Sequence, residues 1–129
     1  MSLGQLALHV ASIPGNLTKL TQLDEFDASQ ANFNPPQPKD LSEIQTALER
    51  SVHAAEEYLG TMAEAFASAS WRLTMRGEEL FRKPRIAVLR SIMLNHWYHH
   101  RGQLSVYLRL LDVPVPVIYG RSADENPFG

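Results

Sequence analysis

Residues 84–111, PRIAVLRSIMLNHWYHHRGQLSVYLRLL, carry the reading that decides the fold. Ile86, Leu89, Met93, His96, His100, Leu104, Tyr107 and Leu111 recur at spacings of three and four, which places them on one face of a helix. Pro84 suits the first position of that helix, where the missing N–H has no partner to lose. Pro114 and Pro116 forbid its continuation. The expected helix is about 27 residues long, roughly 40 Å at ~1.5 Å per residue. Two of its inward positions are histidines.

Working toward the N-terminus, Trp71, Leu73 and Met75 alternate with polar residues, so a short extended segment or irregular turn is expected before Gly77. Asp40 and Glu43 form a capping pair. They introduce a helix whose inward stripe is Leu41, Ile44, Leu48, Val52, Ala55, Leu59, Met62 and Phe66. The run DASQANFNPPQPK, residues 27–39, is polar and proline-rich and predicts a surface crossover. Ser2 and Gln5 form another capping box. Leu3, Leu6, Val10, Ile13, Leu17, Leu20 and Leu23 then predict a first helix ending near Phe26, kinked or briefly broken at Pro14 and Gly15. The tail 113–129, VPVPVIYGRSADENPFG, predicts irregular structure. The chain thus reads as a single all-α domain over residues 1–129.

Composition narrows the chemistry. The 129 residues carry a net charge of -2 from 12 basic and 14 acidic residues, well mixed, which gives no footprint for a phosphate backbone or an anionic membrane. No apolar run approaches the ~18 residues that span a bilayer, and no secretory signal pattern opens the chain. The expected location is cytoplasmic. With no cysteine, a metal site must use nitrogen and oxygen donors. H-E-x-x-H, G-x-S-x-G, the phosphate loop and the dinucleotide fingerprint are absent, which argues against zinc proteases, serine hydrolases, P-loop NTPases and Rossmann oxidoreductases.

Five histidines remain. His96 and His100, four apart, can aim ring nitrogens at one point, although that spacing alone is common. Both fall on the apolar stripe, where a metal would satisfy two otherwise costly buried imidazoles together. His9 lies beside Leu6, Val10 and Ile13 on another helix, so three histidines from two helices fit one divalent ion. Against this, a single core histidine is more often satisfied by a carbonyl, a water or a hydroxyl. His99 flanks the pair, and His53 reads as solvated. Trp97 and Tyr98 read as packing residues. Asn95 and Gln103 can orient imidazoles, whereas Arg101, which cannot accept a hydrogen bond, suits a carboxylate or phosphate.

The segment Asn95 to Glu125 resembles the final helix and tail of the DinB/YfiT-like family, with its H-x-x-x-H-R-G-Q run and its Y-G-P-S-A-D-E tail. Gln5 to Ala11, QLALHVA, is similar to the family's earlier L-x-x-H segment. The resemblance implies a four-helix bundle whose metal ligands fall on His9, His96 and His100. Imidazole-rich sites accept zinc, nickel, iron or copper, of which zinc, nickel or iron is expected here; the resemblance implies a metal-dependent transferase acting with a low-molecular-weight thiol, or a hydrolase. A non-catalytic metal-binding or stress-response protein is the alternative. Two departures stand out. Family members carry a further helix before the L-x-x-H segment, so the chain reads as truncated at its start, with an apolar face that favours a homodimer. Arg121 stands where the family has proline.

Overall fold

The computed structural model describes residues 1–32 and 34–128; Phe33 of the expected crossover and Gly129 of the tail lie outside the described residues. Helix α1 spans Leu3–Thr21 and starts as expected: Gln5 N–H donates to Ser2 Oγ at 3.2 Å and Ser2 N–H to Gln5 Oε1 at 2.8 Å. It ends before Leu23 and Phe26. Phe26 belongs instead to strand β1, Glu25–Asp27. Nor does α1 break at Pro14 and Gly15, because a partner helix compensates there. Gly15 N–H donates to Ser51 Oγ at 2.7 Å, and a Cβ on Gly15 would stand 2.9 Å from Ser51 Cα. The absent side chain lets the two backbones approach closely.

That partner is α2, Leu41–Thr61. Glu43 N–H donates to Asp40 Oδ1 at 2.9 Å, while the Glu43 carboxylate accepts from Lys39 N–H rather than from Asp40. The expected inward stripe of α2 is only partly buried. Ala55 and Ser51 face α1, whereas Leu41 is 66%, Leu48 40% and Leu59 42% exposed. Periodicity marked the apolar face correctly, but only its edge is covered. Met62 follows the helix, and Phe66 sits in a separate short helix α3, Glu64–Ser68.

The extended segment expected around Trp71 is strand β2, Ser70–Met75, and it has a partner that the alternation did not reveal: β3, Glu78–Pro84. The two pair antiparallel through a turn at Arg76 and Gly77, both at positive φ (52° and 86°). Two such residues give the hairpin turn whose twist matches the strands, and glycine takes the second position without steric cost. β1 adds to the other edge of β2 in parallel, with Glu25 opposite Arg72 and Asp27 opposite Thr74. The fold is therefore predominantly helical with a small mixed sheet at one end.

The long C-terminal helix is present as one helical run in three parts: α4, Arg85–Val88; a π-helical segment, Leu89–Leu94; and α5, Asn95–Leu110. Ile13 of α1 packs with Leu89 and Met93 of the π segment at the centre of the core, and Leu17, Tyr58, Met62 and Trp97 close around it. Arg85, 1% exposed, ties the sheet end to α1. Its Nε donates to the Thr21 carbonyl at 3.0 Å and Nη2 to the Leu23 carbonyl at 3.2 Å, it pairs with Asp24, and it lies 4.0 Å from the Phe66 ring centroid. Tyr58 Oη and Trp71 Nε1 donate to the neighbouring carbonyls of Thr21 and Leu20. The open carbonyl end of α1 is thus satisfied by three side chains, one of them cationic and matched to the helix dipole.

The tail beyond α5 is irregular, as expected, yet it is pinned. Asp124 pairs with Arg109 at 2.6 Å and accepts from Val115 N–H, Glu125 accepts from Val117 N–H, and Ser122 Oγ donates to the Val115 carbonyl. These bonds fold residues 115–125 back beside α5. Among the described residues no helix is long and apolar enough to cross a membrane.

Candidate metal centre

His9 lies between buried Leu6 and Ile13 on α1, three and four residues from each, so it points toward the C-terminal helical run with them. His96 and His100 occupy successive turns of α5 just beyond the Met93 contact. The three rings meet there. His9 Nε2 and His96 Nε2 are 3.0 Å apart, and ring centroids stand 4.7 Å apart for His9 and His100 and 4.6 Å for His96 and His100. One ring nitrogen from each falls within 4.8 Å of the others. All three side chains are half-buried rather than sealed in the core.

This geometry fits a metal ion. Nitrogens held at ~2.0–2.1 Å around a tetrahedral ion lie about 3.4 Å from one another, close to the His9–His96 separation. Protonation points the same way. Burial first, then the neighbouring His100 and His96, lowers the His9 pKa below its ordinary 6.5. Burial first, then His100 and His99, lowers that of His96. Neutral imidazoles are the form that binds metal. His100 Nδ1 lies 2.9 Å from Gln103 Oε1, so a neutral ring carries its proton on Nδ1 and presents Nε2 bare.

The flanking candidates separate. Gln103 contacts a histidine of the cluster through a hydrogen bond. His99 is exposed and meets His100 edge-on at 4.9 Å between ring centroids, outside the cluster. Asn95 is exposed, and among the described residues it makes no hydrogen bond to a histidine. Arg101 makes no hydrogen bond to a histidine among the described residues and lies over Tyr98 and Tyr119. Tyr119 was not singled out from the sequence; its approach depends on the returning tail. His53 is exposed on α2, as expected.

Comparison with known proteins agrees with this architecture. The chain is 27% identical over 124 residues to the uncharacterized protein YrdA of Bacillus subtilis, covering 96% of this chain and 70% of that protein. Its fold matches the crystal structure of a DinB-like protein from Bacillus cereus with a TM-score of 0.67 at 22% identity, over 92% of this chain and 73% of the other. The model of the DinB family matches residues 1–126. With a helical bundle that gathers one histidine from α1 and two from α5, the chain belongs to the DinB family.

Proposed function

We propose that His9, His96 and His100 hold one divalent metal ion, zinc, nickel or iron, at an open site that serves a metal-dependent transferase using a low-molecular-weight thiol. The observation that carries this reading is the convergence of three ring nitrogens within 4.8 Å from two helices. Three nitrogen donors leave coordination positions free, the mark of a reactive rather than a closed structural site. When bound, the ion supplies Lewis acidity that favours a thiolate at neutral pH. The chain's own part is to favour the neutral form of His9 and His96 by burial, to orient His100 through Gln103, and to keep one side of the cluster against the apolar α1 interface. A hydrolytic reaction would use the same features.

A second reading, a non-catalytic metal-binding or stress-response protein acting as a dimer, is favoured by the exposed leucines of α2, Leu41, Leu48 and Leu59. Protein purified without a histidine tag should contain about one metal per chain by elemental analysis, and no metal in His96→Ala. Turnover of a small thiol with an electrophile, lost in His96→Ala, supports the transferase. Stoichiometric metal without turnover, in a protein that sediments as a dimer, favours the second reading.

A further inference from the structure

We propose that Arg101 is the recognition cation of an anion subsite beside the histidine cluster, taking the carboxylate or phosphate group of a small-molecule ligand. Arg101 is half-buried, and its Nε is fully buried without a hydrogen-bond partner among the described residues. The indole N–H of Trp97, one turn earlier on the same face of α5, is buried and unpartnered in the same way. Four other arginines have acids. Arg72 pairs with Glu25, Arg82 with Glu79, Arg85 with Asp24 and Arg109 with Asp124.

What Arg101 has instead is a pair of aromatic faces. Its guanidinium carbon lies 5.1 Å from the Tyr98 ring centroid and 4.9 Å from that of Tyr119. Contacts of this kind hold the cation in place without consuming its N–H donors. The two Nη groups are not buried and make no hydrogen bond among the described residues, so a guanidinium so held keeps the outer edge of its fork free for a bidentate anion. The rim is accessible, since Tyr119 is 82% exposed. Tyr119 also borders an open hollow of about 440 Å³ shared with Ile118, Arg121 and Ser122, which leaves room for the rest of a ligand. The subsite stands on the surroundings of Arg101 and not on metal in the histidine cluster.

The test is a titration of the full chain, as purified, with inorganic phosphate and separately with succinate, following the Trp97 indole and Arg101 Nε–H resonances. Saturable shifts with at least one anion are expected, and which anion gives them distinguishes a phosphate-bearing from a carboxylate-bearing ligand. Arg101→Gln should weaken that binding by at least about tenfold, and Arg101→Lys by less, since it keeps charge without the fork. Arg50→Gln, an exposed arginine on α2 away from the subsite, should leave it within about twofold. The proposal is overturned if neither anion shifts the resonances, if Arg101→Gln binds as well as the parent, or if His96→Ala abolishes binding that Arg101→Gln retains. Should Arg101→Gln fail to fold, the parent resonances and Arg101→Lys decide the matter.

Discussion

His9 and His96 are 87 positions apart in the chain, yet their Nε2 atoms stand 3.0 Å apart. Two neutral rings can share a proton across that gap, whereas two charged rings repel. Both groups have pKa values below 6.5 in the folded chain, so protons bind the unfolded state preferentially. The metal-free protein should therefore hold its stability above pH 6.5 and lose it as pH falls from there through the lowered folded values. Urea midpoints measured against pH in chelator would show this slope, and His9→Gln should flatten it. An equal slope in His9→Gln would contradict the assignment.

Gln103 offers a finer probe of the same centre. Because its Oε1 fixes the proton of His100 on Nδ1, Gln103→Ala frees the ring to rotate and to change tautomer. Metal affinity should drop by about 10–100-fold while the stoichiometry stays the same. Competition against a chromophoric chelator measures both. Unchanged affinity would mean that packing alone orients His100.

Arg85 and Asp24 form an asymmetric pair, with side chains 2% and 93% exposed. Arg85→Met strips charged donors from the Thr21 and Leu23 carbonyls, and should cost about 3 kcal/mol in chemical denaturation. Asp24→Asn removes an acid already in water and should cost less than about 1 kcal/mol. Equal costs would show that the ion pair, rather than the helix end, is what Arg85 stabilises.

Asp27 joins β1 to the hairpin turn. Hydrogen bonds from Ser29 first, and then from the backbone N–H groups of Arg76 and Gly77, lower its pKa from 3.8 to about 2. The folded value is the lower one, so its contribution is complete above pH 3.8 and fades as pH falls toward 2. Asp27→Asn, which keeps an acceptor and loses the titration, should show a shallower acid limb over that window. Identical limbs in the two proteins would remove the carboxylate from this role.

The local features were legible because they are written in adjacent residues. Ser2 with Gln5, the four-residue step from His96 to His100, and His9 between Leu6 and Ile13 each encode a turn of helix and what lies on its face. Pairings over long separations were not. Nothing in Glu25–Asp27 announces a parallel strand, since its partner begins 47 positions later at Arg72. Leu48 and Leu59 show by their spacing that α2 has an apolar face, but spacing cannot name what covers it. Nothing in the residues around Arg85 announces its buried partners. Only the folded path of α1 brings its last carbonyls to that guanidinium.

The π segment at Leu89–Leu94 has an evolutionary consequence. A π turn accommodates one residue more than the α-helix around it, so it acts as a phase adjuster between the half of the helix that anchors the core and the half that carries the histidines. Losing a single residue from this segment would restore regular α-helix and swing every position after it by about 100°, carrying His96 and His100 off the side that meets His9. Point substitutions drift through such a helix gradually, but a one-codon deletion would uncouple the centre in a single step while leaving helix content almost unchanged. Length, more than identity, is what this stretch must conserve.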